Sequence, residues 1–195
     1  MTVADRLAFR RARAAWELDE IRRLNYATFV EEIPQHEPRP SRMLTDRFDD
    51  ENRYYVACRG RRVLGMVAVR ETRPWSLDAK LADVDSLLPA GVRFCEVRLL
   101  AIVRQHRGGM ILKGLVQAVT RDARRRGITG VVISGTTRQL RLYERLGFAP
   151  FGPLVGREGA WYQPMYLTAD SFRRTQAVRL LRRRRTAGEP AGNIA

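Results

Sequence analysis

The chain has 195 residues, of which 45% are hydrophobic, and carries a formal net charge of +15. That length suits one domain with enough apolar residues for a core, and no apolar run reaches the roughly 18–20 residues of a membrane span. The polar N-terminal stretch "MTVADRLAFRRARAAWELDE" is unlike a signal peptide, and two cysteines and two histidines without ligand-like spacing argue against a disulfide scaffold and a zinc site. A cytoplasmic protein without a metal is the expectation.

The positive charge attracts anions: nucleic acid, anionic lipid, a nucleotide-bearing ligand or an acidic protein. It is placed unevenly. Residues 173–185, "RRTQAVRLLRRRR", hold seven arginines and no acid, and residues 6–13 hold four more. The chain therefore reads as a basic N-terminal segment (1–15), a central domain (16–168) and an arginine-rich C-terminal helix and tail (169–195).

In chain order, Trp16, Ile21, Leu24, Ala27 and Phe29 give an amphipathic helix over Ala14–Glu32. The three prolines of "EEIPQHEPRPS" demand a loop, and a short helix is predicted over Ser41–Phe48 with Ser41 as its cap. Tyr54–Cys58 and Val63–Arg70 form a hairpin turning at Gly60. A loop with a short helix leads to a strand at Phe94–Val103. Met110–Arg126 is a helix stopped by Gly127, and Ile128–Ser134 a buried strand. Thr137–Leu146 is a short helix stopped by Gly147, followed by strands at Phe148–Leu154 and Trp161–Thr168 and a basic helix at Ala169–Arg185. The order predicts a mixed sheet flanked by helices, parallel only within the strand–helix–strand unit at 94–134.

Two constellations stand out. "RQHRGGMILKG" joins a strand to a helix. A phosphate would find the amides of Gly108, Gly109 and Met110 there, with Arg104, His106 and Arg107 beside them. The plainer alternative is a tight turn with solvated arginines. "TTRQLRLYERLGF" places Tyr143 one turn before a helix stop, either at a site or as a half-buried core aromatic.

Together these motifs resemble the GCN5-related N-acyltransferases over about residues 16–168. The resemblance implies an α/β (α+β) fold with a mostly antiparallel sheet of six to seven strands. It implies that Arg104–Gly109 bind the pyrophosphate of coenzyme A and that Tyr143 protonates the leaving thiolate. The usual loop, Arg/Gln-x-x-Gly-x-Gly/Ala, is not matched: from His106 an Ile111 stands where a small residue belongs, and from Arg107 Met110 replaces the first glycine. "CEVRLLAIV" and "EEIPQHEP" further resemble N-acyl amino acid synthases and acyl-homoserine-lactone synthases. These often take long acyl chains from acyl carrier protein, an acidic partner that suits a basic chain.

Acyl transfer to an amine must deprotonate the amine, hold an oxyanion and release a thiolate. Glu96 is the candidate base. Strand alternation places Glu96, Arg98 and Leu100 on one face and Cys95, Val97 and Leu99 on the other. Apolar surroundings would raise the Glu96 pKa, whereas a Glu96–Arg98 ion pair is the purely structural alternative. Backbone amides around Leu100, Ala101 and Ile102 are candidates for the thioester oxygen. His36 and Arg98 are candidates for the acceptor, Arg98 by its bidentate fork. Ser134 and Thr136 follow the buried strand and would line the site, Thr136 doubling as a helix cap. Cys95 reads as a buried thiol, and Trp75 and Trp161 as packing residues.

The expected activity is N-acyl transfer from acetyl-coenzyme A, a longer acyl-coenzyme A or acyl carrier protein to a small amine such as an amino acid. The rival is an arginine-rich nucleic-acid- or ribosome-binding protein. A membrane-surface role for the C-terminal helix ranks below both, because Val178, Leu180 and Leu181 give it a meagre apolar face.

Overall fold

The computed structural model describes residues 6–107, 109–157 and 160–175. Eight strands form one sheet: β1 (Ala8–Arg11), β2 (Arg53–Arg59), β3 (Arg62–Arg70), β4 (Phe94–Ile102), β5 (Gly130–Thr136), β6 (Ala149–Pro150), β7 (Val155–Arg157) and β8 (Ala160–Thr168). Their order is β1-β2-β3-β4-β5-β8-β6, with β7 also on β8. Only β4 and β5 pair in parallel, as the sequence predicts for the strand–helix–strand unit. Helix α1 (Ala15–Tyr26) covers one face, α2 (Met110–Arg125) the other, and α3 (Leu140–Leu146) follows β5.

The spacing of Ile21 and Leu24 on α1 turns them onto Val56, Met66, Ala68 and Ala101. Ile111, Leu115 and Ala118 of α2 meet Tyr55, Ala57, Val67, Val69 and Cys95 across the sheet. Alternate residues of β2 and β3 thus feed opposite cores. A third cluster joins Trp75, Leu77, Leu81 and Val84 to Val132, Phe151 and Val155. Gly127 (φ 68°) and Gly147 (φ 97°) terminate α2 and α3 in the left-handed region, as their positions predict.

The N-terminus of α1 lacks a capping side chain at Ala14, and buried Glu17 takes that role by accepting from the Arg13 and Ala14 amides at 2.7 and 2.9 Å. Burial alone would raise the Glu17 pKa, but the two amides and the Arg10 guanidinium at 2.5 Å hold it below the ordinary carboxylate range. The helix then widens into a π-helical turn at Ala27–Glu32.

Four expectations need correction. Of the N-terminal segment 1–15, the described part joins the sheet: Ala8–Arg11 pair antiparallel with Tyr55–Cys58 and Phe9 packs on α2. The arginines conceal an alternation in which Leu7 and Phe9 point inward. The helix predicted at Ser41–Phe48 is absent, because the Asp46 carboxylate accepts from the Phe48 amide (3.2 Å) and Asn52 Nδ2 (2.7 Å) and turns the chain locally instead. The strand predicted at Phe148–Leu154 is cut to two residues, since Pro150 and Pro153 interrupt its donors. The sheet accordingly has eight strands rather than six or seven. The C-terminal helix opens at residue 169 and is described to 175, with the Thr168 hydroxyl accepting from the Ser171 amide at 3.2 Å. The rest of that predicted helix and tail lies outside the described residues. No described helix is long and apolar enough to cross a membrane.

Candidate active site

The site begins with a break in the sheet. β4 and β5 pair only at Phe94–Glu96 with Gly130–Val132. β4 runs on to Ile102 and β5 to Thr136 without further pairing between them. The cause is local: Arg98 opposes Ala68 and Ala101 opposes Met66, so β4 carries one extra residue there, with Leu99 at φ 53°. The bulge bends β4 away and leaves its β5-facing backbone edge without a strand partner beyond Glu96.

It also corrects the predicted alternation. Leu99, like Ala101, packs on the α1 side with the core that includes Met66 and Ala68, while Ile102 packs on the α2 side. Leu100 therefore leaves the face of Glu96 and Arg98, and it is 37% exposed. A bulge at a leucine within an apolar run leaves no signature in a two-residue pattern.

On the α2 side, the first turn of α2 abuts the end of β4. A Cβ on Gly65 would lie 2.6 Å from Ile111 and 3.3 Å from Ile102. Gly109 precedes the helix at φ 88°, and no side chain caps the first-turn amides, which leaves a helix N-terminus beside the opening. Gly108 lies outside the described residues. Arg104 is exposed, His106 half-buried and Met110 exposed. Arg107 points elsewhere: it grips Glu32 with both terminal nitrogens (2.5 and 2.6 Å), and its Nε donates to the Ile102 carbonyl at 3.0 Å. Its side chain ties the loop to the π-helical turn.

Tyr143 of α3 lies over Gly135 of β5, where a Cβ would stand 2.9 Å from the ring. Its hydroxyl receives the Thr136 backbone amide, while burial pushes its pKa above the ordinary tyrosine value. Thr136 does occupy the position before the next helical turn, but its side chain makes no capping hydrogen bond.

The opposite face of the opening is charged. Glu96 is 1% exposed, and both its oxygens accept from Ser76: Oε2 from the amide at 2.9 Å, Oε1 from the hydroxyl. It forms no ion pair with Arg98. Arg98 Nη2 instead meets Asp46 at 3.0 Å, and its Nη1 is buried without a partner. Arg70, paired in register with Glu96, is 1% exposed and donates to the Pro74 carbonyl (2.8 Å) and Glu51 (2.9 Å), also leaving Nη1 unpartnered. The guanidinium carbons of Arg70, Arg47 and Arg98 lie 3.9, 4.5 and 5.0 Å from the centroid of the Phe48 ring. Lys80 reaches Ser134 Oγ at 3.1 Å from the segment between β3 and β4.

Asp46, Phe48, Arg70, Ser76 and Lys80 were not foreseen, because their meeting depends on strand register and on loops without periodicity. The one sequence signal is Arg70, a charge ending the otherwise buried run "VLGMVAV". His36 is exposed on its loop without a partner among the described residues. Cys95 is fully buried, and burial pushes its thiol up to about 12, which makes it inert. Trp75 is buried in the third cluster and Trp161 is 45% exposed. Among the described residues, no group of histidines, cysteines and carboxylates could hold a metal ion.

A parallel pair that parts at a bulge, with a helix N-terminus on one side, belongs to a GNAT-like architecture. Known structures share it. The coenzyme A-dependent acyl-homoserine lactone synthase BjaI, solved with S-adenosylmethionine and isopentyl-coenzyme A, is 22% identical with a TM-score of 0.73 over 88% of this chain and 89% of its own. The acyl-homoserine lactone synthase LasI is 17% identical (TM-score 0.68; 84% and 89% covered). FeeM, an N-acyl amino acid synthase from uncultured soil microbes, is 18% identical (TM-score 0.66; 87% and 94% covered). No curated sequence matches. The family model of the N-acyl amino acid synthase FeeM matches residues 20–169, and the chain belongs to that family of acyltransferases.

Proposed function

We propose that this protein transfers an acyl group from an acyl-coenzyme A thioester to the amino group of an amino acid. The observation that carries this reading is the opening between β4 and β5 beyond Glu96, wide of any strand pairing and flanked by the N-terminus of α2. First-turn amides at Gly109–Met110, with Arg104 and His106 near them, would receive the pyrophosphate. The thioester arm would enter the opening, where the β5-facing edge of β4 around Leu100 and Ile102 offers amides to its carbonyl oxygen, the Ala101 amide being turned toward β3.

Glu96 takes the proton of the acceptor ammonium. Ser76 occupies one lone pair on each carboxylate oxygen and so fixes its orientation, while others stay available. The amine nitrogen attacks the carbonyl carbon, the oxyanion collapses and the C–S bond breaks; the thiolate takes the Tyr143 proton, and the second proton of the attacking nitrogen leaves through solvent and restores the phenol, so that one amide, one thiol and the proton on Glu96 result. Burial favours the neutral phenol and so keeps that proton available at neutral pH. Arg98 offers its free Nη1 to the acceptor carboxylate. Ser134 and Thr136 line the β5 side, and His36 lies on the loop that follows the π-helical turn.

The test is incubation with acyl-coenzyme A of two to sixteen carbons, or with acylated carrier protein, and the twenty L-amino acids. Mass spectrometry should find an N-acyl amino acid, with thiol released in equal amount. Product from carrier protein alone would reassign the donor, and no amide with any thioester would overturn the reading.

A further inference from the structure

The charged face of the opening has an imbalance that the residues so far assigned do not account for. Arg47, Arg70, Arg98 and Lys80 gather there, facing Asp46, Glu51 and Glu96. Asp46 and Glu51 are occupied by Arg98 and Arg70, and Glu96 is held by Ser76. Lys80 forms no ion pair among the described residues. Its ammonium rests on a neutral hydroxyl, Ser134 Oγ at 3.1 Å, and over the Tyr162 ring at 4.9 Å. The charges acting on it are Glu96, which favours the ammonium, and Arg98 and Arg47, which oppose it; burial opposes it most, and its pKa falls below the ordinary lysine value. Lys80 is exposed, so water shares its ammonium; the group without a partner is the buried Nη1 of Arg98, and Lys80 adds a second positive charge that no side-chain anion pairs on the same face of the opening.

We infer that Lys80, together with the free Nη1 of Arg98, binds the carboxylate of the acceptor and is the residue by which the enzyme selects amino acids over simple amines. The inference rests on the acyl-transfer reading above and adds a residue to it. Glu96 and Arg98 lie two positions apart on one face of β4, about 7 Å along the strand. A carboxylate held at Arg98 and Lys80 therefore puts the attached amine within reach of Glu96. Lys80 spans the opening from the β3–β4 segment to β5, so it closes over the acceptor from the side where β4 and β5 have parted.

The experiment uses the full chain and the variants Lys80→Met and Lys80→Arg. KM and kcat are measured for each reactive L-amino acid, for its carboxamide and for the corresponding decarboxylated amine. Binding of the amino acid alone is followed by saturation-transfer NMR. Lys80→Met should raise the amino-acid KM by about 10- to 100-fold, leave kcat and the carboxamide KM near wild type and weaken the NMR signal, and Lys80→Arg should restore most of the loss. Equal effects on acid and amide, or none, would overturn the assignment. If the wild type acylates nothing, the functional reading fails, and the NMR arm alone decides: amino-acid binding lost in Lys80→Met sustains the carboxylate site, whereas no binding by the wild type overturns it.

Discussion

The two sides of the opening between β4 and β5 are built by different means. The α2 side offers backbone: a glycine with positive φ, an uncapped helix N-terminus and exposed side chains around them. The opposite side offers buried side chains locked by one another: Glu96 by Ser76, Arg98 by Asp46, Arg70 by Glu51. Backbone donors suit a phosphate-bearing arm present in every donor, whatever its acyl chain. A preorganised charge cluster suits discrimination, because each unpaired buried group penalises a ligand that fails to meet it. On the proposed function, the donor would be recognised generically and the acceptor specifically.

That contrast is open to experiment, and the largest effect belongs to the charged side. Glu96→Gln should lower kcat by about 10²- to 10⁴-fold while the acceptor still binds, since the loss is of a general base. An unchanged kcat would make Glu96 a structural partner of Ser76. Tyr143→Phe should lower kcat by about 10²-fold with both KM values kept. If donors with a more acidic leaving thiol do not recover the rate, Tyr143 is only packing against Gly135.

The acceptor KM should rise with pH by up to about tenfold per unit above the Lys80 pKa. The sign follows from the charge: carboxylate binding needs the ammonium, burial and the Arg98 and Arg47 charges lower its pKa, and binding is lost as pH climbs through that value. The loss should begin below the ordinary lysine range of about 10.4 and vanish in Lys80→Met. Carboxamide KM values measured in parallel should stay flat.

On the α2 side, Gly114→Val should cost about 1–3 kcal/mol in denaturant unfolding, because any Cβ there falls 2.2–2.4 Å from the Phe9 ring of the β1 segment. An unaltered midpoint would mean that β1 does not hold to the domain. The smallest effect is expected of Arg107→Ala. Its partner is Glu32, both side chains are about 40% exposed, and such a pair contributes under about 1 kcal/mol. The donor KM should not move. A rise of tenfold or more would restore the phosphate role that the sequence suggests for Arg107.

The same contrast decides what could be read from the chain. Gly127, Gly147 and the apolar run "ITGVVIS" carry their structural meaning locally, and the helix, the strand and the parallel unit around them follow. Glu96, Arg98 and Tyr143 were legible as residues of interest because they sit on such elements. Their partners were not. Asp46 meets Arg98, and Ser76 meets Glu96, across 52 and 20 positions, each from an irregular loop onto β4. β1 was hidden by arginines on its outer face, and the Asp46 turn by a composition equally suited to a helix.

Leu99 shows how narrowly the arrangement is encoded. β4 has two phases of the same two-beat rhythm, joined by one surplus residue: Glu96 and Arg98 keep time with Ala68 and Arg70, Ala101 and Ile102 with Met66 and Gly65. Removing that single residue would change no functional group, yet it would fuse the two phases and reseat either the charged half of the strand or the half leading into α2. Deletions at this point should therefore be far more harmful than substitutions, and a length scan of β4 should find its whole tolerance spent on one position.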